Sequence, residues 1–206
     1  MRSPFIAMTL LTNLLLKRSF AHLLGMAFGL SLMLFSTLSQ ADTADFTTKA
    51  DYAILMDADT RSVLFEKNAD ELMSPASMSK LMTLAVVFQG LKEGRISLED
   101  EFFISENAWR TGGAPSGTSA MFAPLNSNVK LQELLLGIIV QSGNDACIAV
   151  AEGLSGSEAD FASEMNTYAR KIGLKKSTFR NSTGLPDPDH LMTPRELALL
   201  GVHIIK

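Results

Sequence analysis

Residues 51–90 read DYAILMDADTRSVLFEKNADELMSPASMSKLMTLAVVFQG. Two short apolar runs, YAILMD and SVLFEK, flank an acidic turn around Asp59 and Thr60. That pattern predicts an antiparallel hairpin at about residues 50–67. A two-stranded ribbon does not stand alone in water, so something must cover or extend it. The next segment supplies a cover. Ser74 is placed to cap a helix whose first residue is Pro75, where a missing backbone N–H costs nothing. Leu81, Leu84, Ala85 and Phe88 then recur at helical spacing, and Gly90 reads as a stop, giving a helix over about 75–90. Ser77 and Lys80 stand three apart in its first turn, on neighbouring points of one face. A serine hydroxyl is a poor nucleophile until a base removes its proton, and a lysine serves only where desolvation makes its neutral form accessible. Taken alone, Ser-x-x-Lys is a weak signal, and its rival is an ordinary helix start with a solvated lysine.

Downstream, residues 91–128 are poorer in periodic elements and include TGGAPSGTSAMFAPLNSN, a loop dense in Gly, Pro, Ser and Asn. Gly113, Ser116, Gly117 and Thr118 in that loop are candidates for shaping access to a cleft. KLQELLLGIIVQ predicts a helix buried on most sides, and SGNDACIAVAEGL begins another. In SEADFASEMNTYARKI, Phe161, Met165, Tyr168 and Ile172 form the core stripe of an amphipathic helix. FRNSTGLPDPDHLMT is a turn-rich connector in which Asp187 and Asp189 read as turn formers and His190 as a packed loop histidine. Thr193, Pro194 and Glu196 signal the cap of a final helix. The order is two strands, several helices, then an abrupt end, which predicts an incomplete domain.

Upstream, residues 1–41 hold three basic residues (Arg2, Lys17, Arg18) and no acid, with an uncharged run over 19–38 and small residues at Ser39 and Ala41. This reads as an export signal, with residues 42–49 a polar lead-in. An uncleaved membrane anchor is the rival, since the run approaches spanning length.

The composition, 47% apolar and 19% charged over 206 residues, is that of a folded chain with one substantial core or two small lobes. Removing residues 1–41 moves the net charge from −4 to −7, and no basic block follows, which argues against a nucleic-acid partner. The single cysteine, Cys147, reads as a small core residue rather than a nucleophile. One cysteine beside three scattered histidines gives no recognisable zinc site, so no metal or other cofactor is expected.

SPASMSKLMT together with IIVQSGNDACIAVAEG resembles the serine-type D-alanyl-D-alanine carboxypeptidases, the low-molecular-mass penicillin-binding proteins of the DD-peptidase/serine β-lactamase superfamily. Ser77–Lys80 matches that group's Ser-x-x-Lys, and Ser142-Gly143-Asn144 its Ser-x-Asn. The flanking segments resemble the family as well, so the likeness covers nearly all of residues 50–206. It implies a two-lobed α/β (α+β) fold: an antiparallel sheet flanked by helices plus a helical lobe, here about residues 91–180, with 181–206 returning toward the sheet. It also implies acyl transfer on peptidoglycan stem peptides ending in D-Ala-D-Ala, in the periplasm, with β-lactams as inhibitors. Ser77 would be the nucleophile, Lys80 its base, Ser142 a proton relay and Asn144 a substrate-binding residue. Ser142 and Asn144 also suit helix capping, and the two roles are compatible.

The family's third mark, Lys-Thr-Gly, does not follow Asn144. The sheet is therefore expected to be incomplete and this fragment inactive, with any membrane-associating C-terminal tail outside it. A class A-like β-lactamase and a non-catalytic peptidoglycan-binding fragment are the alternatives.

Overall fold

The structure, a computed structural model, describes residues 46–206. The export signal or anchor read in residues 1–41 lies outside the described residues. Strands β1 (Ala53–Met56) and β2 (Val63–Lys67) pair antiparallel, with Ile54 opposite Glu66 and a register shift between Leu55 and Met56. The turn is organised by Asp57 rather than by the residues at its tip. Its Oδ1 accepts from the Thr60 backbone N–H and hydroxyl, both at 2.7 Å, and from the Asp59 N–H at 3.2 Å.

The segment that carries Ser77 departs from the expected simple helix. A 3-10 turn spans Ala76–Ser79 and passes into helix α1 (Lys80–Lys92). Pro75 precedes the turn and no side chain caps it, so Ser74 does not play the capping role its position suggested. Nor is Gly90 a stop. It is buried within α1, and a Cβ there would lie 3.0 Å from Ile96 Cδ1, so the glycine permits close packing of the following loop. The expected stripe is also too narrow: Met82 through Val87 are all buried.

The reason is that α1 lies between two cores. Leu84 and Val87 pack with α2 (Leu131–Gln141) and α3 (Asn144–Ser155). Met82, Ala85 and Val86 pack with Phe161 and Met165 of α4 (Glu158–Lys171), with Phe179, and with Leu200 of α5 (Pro194–Ile205). A helix buried on every side shows little amphipathic period. Helix α3 is enclosed in the same way over its first half, with Ala146 through Ala151 at 0% exposure.

Helix α2 is less enclosed than its composition suggested. Leu134 and Ile138 are buried, but Leu136, Ile139 and Val140 are more than half exposed. Its apolar residues cover both faces, so composition could not tell which face finds a partner. Two short strands escaped the sequence reading, β3 (Glu101–Phe103) and β4 (Asn128–Lys130), paired antiparallel at the edge of the helical lobe. Three-residue strands leave too little alternation to detect.

The α4 stripe is as expected, with Phe161 and Met165 fully buried and Tyr168 and Ile172 packed at its margin. Helix α5 begins at the predicted cap, where Thr193 Oγ1 accepts from the Glu196 N–H at 3.1 Å. The Glu196 carboxylate, however, does not reach back to close a capping box. It accepts from the N–H groups of Lys175, Lys176 and Ser177 and from the Ser177 hydroxyl. Helix α5 packs on β1, and the whole is a two-lobed α/β fold: a small antiparallel sheet flanked by helices, not closed into a barrel, beside a helical lobe.

Candidate active site

The 3-10 turn decides the geometry. In such a turn side chains three residues apart eclipse, more closely than on an α-helix. Ser77 is exposed at the start of the turn and Lys80 closes it, 4% exposed. Lys80 Nζ lies 3.0 Å from Ser77 Oγ and donates to the Thr183 carbonyl at 2.7 Å. Burial pulls the Lys80 pKa below its ordinary 10.5, with the Cys147 thiol acting weakly in the other direction. Desolvation penalises the ammonium and makes the neutral amine more accessible. That amine could take the Ser77 proton across the same 3.0 Å contact.

The backbone just before Ser77 is held in an unusual conformation. Ala76 has φ +48°, a left-handed value that L residues other than Asn and Asp seldom adopt. Its carbonyl lies against Gly184, where an added Cβ would come within 2.0 Å of the Ala76 oxygen. The Ser77 turn is thus wedged against the 181–185 segment.

Asn144 reaches the same place from the other lobe. Ser77, Thr118, Ser119, Asn144, Thr183 and Gly184 line one cleft of about 630 Å³. Asn144 is 4% exposed, and its Nδ2 donates to Thr118 Oγ1 at 3.0 Å. Its Oδ1 is buried with no partner among the described residues. An unpaired buried acceptor costs about 1–3 kcal/mol, so this oxygen is open to a donor entering the cleft.

Ser142 is placed differently. It ends α2 with φ +56°, half-buried, and is not among the residues lining the cleft. Neither Ser142 nor Asn144 caps the entry to α3 with its side chain: Gly143 occupies that position without a side-chain bond. Of the loop candidates, Gly117 and Thr118 line the cleft, while Ser116 holds the turn behind them by donating to the Gly113 carbonyl at 2.7 Å.

Several supporting residues gave no signal in the sequence. Asp145, 0% exposed, accepts from the N–H groups of Met121 (2.9 Å) and Ala123 (3.1 Å) and so ties the 118–123 segment to the start of α3. Gly112 packs there so closely that a Cβ would meet the Asp145 nitrogen at 2.4 Å. The Thr183 carbonyl on Lys80 is a backbone group, which no residue pattern advertises. A Gly-Asn-Asp run and an Asn-Ser-Thr-Gly turn were visible, but not what they touch.

Cys147 is fully buried on α3, and burial pushes its thiol up to about 12, so it remains protonated. His190 is buried edge-on to Phe179 at 5.6 Å, accepts from the Arg180 N–H through Nδ1, and is drawn below 6.5 by burial. Asp187 and Asp189 make turn and surface contacts, to the Asp189 N–H and to Arg180. Among the described residues no group of three or more His, Cys, Asp or Glu side chains converges to hold a metal ion. The arrangement suits covalent acyl transfer: an exposed hydroxyl, a buried amine, and a polar cleft in front of both.

A family model described as D-alanyl-D-alanine carboxypeptidase matches residues 37–206. D-alanyl-D-alanine carboxypeptidase DacC of Escherichia coli (strain K12) is 46% identical over 153 residues, 74% of this chain and 38% of its own length. DacF of Bacillus subtilis (strain 168) is 37% identical, over 80% of this chain and 41% of its own. Among solved structures, penicillin binding protein 5 from Haemophilus influenzae superposes with a TM-score of 0.74 at 39% identity, over 78% of this chain and 46% of that one. The chain thus spans about two fifths of the length of these curated relatives.

Proposed function

Because the chain belongs to the D-alanyl-D-alanine carboxypeptidase family, we propose that it carries the nucleophile and base of an exported enzyme that removes the terminal D-alanine from peptidoglycan stem peptides. The observation that carries the reading is the 3.0 Å approach of Ser77 Oγ to the buried Lys80 amine. Ser77 Oγ attacks the carbonyl between the two D-alanines as its proton passes to neutral Lys80. The Ser77 backbone N–H faces the oxygen that gains negative charge. The family likeness gives Ser142, with Lys80, the return of the proton to the departing D-alanine nitrogen, a role that requires the half-buried Ser142 hydroxyl to turn into a cleft it does not line here. Asn144 hydrogen-bonds a substrate amide. Water then releases the shortened peptide from Ser77. A β-lactam enters by the same attack and leaves a slowly hydrolysed acyl group on the same oxygen.

The 206 residues contain no Lys-Thr-Gly triplet after Asn144. In the family that strand supplies the second oxyanion N–H and holds the substrate carboxylate. One such donor is worth about 3 kcal/mol, so these residues alone are expected to turn over little substrate.

The test is D-alanine release from a stem pentapeptide by the full-length protein. Release is expected from the wild type and abolished in Ser77→Ala and Lys80→Met. Release that survives Ser77→Ala would refute the proposal.

A further inference from the structure

Lysine has a long, flexible stem, so a buried amine needs something to hold its lone pair on the serine. In this fold the Thr183 carbonyl does so directly, accepting from Nζ at 2.7 Å. The preceding carbonyl, of Ser182, accepts from the Thr83 hydroxyl at 2.7 Å. Two consecutive carbonyls thus face the first turn of α1, one on the base and one a turn further along.

What fixes those carbonyls lies on the far side of the chain. Glu158, the first residue of α4, presents Oε1 to both the Ser182 N–H (3.0 Å) and the Ser182 hydroxyl (2.7 Å). Ser182 is 0% exposed and Thr183 is 1% exposed. Asn181 closes the turn: its Oδ1 accepts from the Thr183 N–H and hydroxyl and from the Gly184 N–H. The turn therefore has little freedom of its own: the Lys80 and Thr83 bonds hold it to α1 and Glu158 holds it to α4.

We propose that Glu158 is a positioning residue for the Ser77–Lys80 pair, acting through Ser182 and the Thr183 carbonyl. The inference rests on the acyl-transfer reading above. Without the carboxylate, the buried Ser182 N–H and hydroxyl lose their acceptor, the Ser182–Thr183 backbone shifts to find another, and the carbonyl on Lys80 moves with it. Loss of a helix-start contact alone would change stability. Loss of lysine alignment would instead slow the covalent step and leave binding intact.

The test is the saturable acylation of the full-length protein by a fluorescent penicillin, resolved into a half-saturating concentration and a limiting rate. Glu158→Ala is expected to lower the limiting rate by about 10²-fold, the cost of a displacement of about 1 Å at a reacting group, with little change in half-saturation. Glu158→Gln keeps an oxygen acceptor for both Ser182 donors and is expected to recover most of the rate. A wild-type limiting rate in folded Glu158→Ala overturns the proposal, as does a loss that Gln fails to restore. If the alanine variant does not fold, Ser182→Ala decides. That change removes only the hydroxyl donor and is expected to cost about tenfold in rate, whereas an unchanged rate overturns the proposal. Labelling that persists in Ser77→Ala is a separate outcome: it defeats the acyl-transfer reading itself, and this inference with it.

Discussion

Replacing Gly184 by alanine adds one methyl group at the point where the 181–185 turn meets the Ser77 turn. Gly184 has φ +80°, and its new Cβ would lie 2.0 Å from the Ala76 oxygen, 2.5 Å from the Ala76 carbonyl carbon and 2.6 Å from Ser79 Oγ. Two of those atoms are backbone, so no side-chain rotation relieves the contact. The left-handed conformation costs a non-glycine residue about 1–2 kcal/mol. Overpacking a tight site adds about 1–3 kcal/mol. The sum, about 2–5 kcal/mol, is a large share of the roughly 5–15 kcal/mol that holds a typical domain folded. The strain should leave through the softer partner, Ala76, which is itself left-handed, and should carry Ser77 with it. Urea unfolding of Gly184→Ala in the full-length protein measures the first effect, and penicillin acylation measures the second. The reasoning fails if stability falls by less than about 0.5 kcal/mol, the ordinary range for a surface change, and acylation keeps its wild-type rate.

The other predictions concern charge and buried hydrogen bonds. Lys80 has a folded pKa below 10.5, so between that value and 10.5 the unfolded chain binds more protons and stability rises with pH. Wild type should therefore gain stability relative to Lys80→Met as pH climbs from neutral toward 10.5, and parallel urea midpoints would contradict this. For Glu196, burial pushes the pKa up, but the Ser177 hydroxyl and the N–H groups of Lys176, Ser177 and Lys175 outweigh it and hold the carboxyl below 4.5. Its stabilisation is therefore complete above 4.5 and is lost as pH falls through the lowered folded value. Glu196→Gln should destabilise by about 1.5–3 kcal/mol at neutral pH and lose less stability on acidification than wild type; equal acid profiles would count against the assignment. Asp145→Asn turns one of its acceptors into a donor facing a backbone N–H, at a cost of about 1–3 kcal/mol. Amide exchange at Met121 and Ala123 should quicken, and unchanged exchange there would show that the carboxylate does not hold the loop.

What was legible in the sequence follows from the range of each interaction. The hairpin and the cap of α5 are local, formed by neighbours whose identities stand side by side in the chain. Ser77 and Lys80 are three residues apart, so their proximity could be argued from spacing, although the 3-10 turn that tightens it could not. The shared cleft of Ser77 and Asn144 came from a family likeness rather than from periodicity. The Thr183 carbonyl lies 103 residues from Lys80 and the Ser182 carbonyl 99 from Thr83. Backbone acceptors carry no residue code, so neither was readable. Glu158 and Asp145 look like ordinary charges at a helix start and Glu196 like part of a cap, and only the folded chain shows each carboxylate holding a distant turn. The stripe proposed for α1 was too narrow for the same reason: periodicity reports one buried face, and two cores claim this helix.

In the proposed reaction one oxygen, Ser77 Oγ, is made nucleophilic by one buried amine. Peptide mapping by mass spectrometry after brief exposure of the full-length protein to penicillin tests it most directly. A penicilloyl adduct is expected on Ser77 alone, absent from Ser77→Ala and strongly reduced in folded Lys80→Met. An adduct on another residue, or undiminished labelling of Ser77 without the lysine amine, would contradict it.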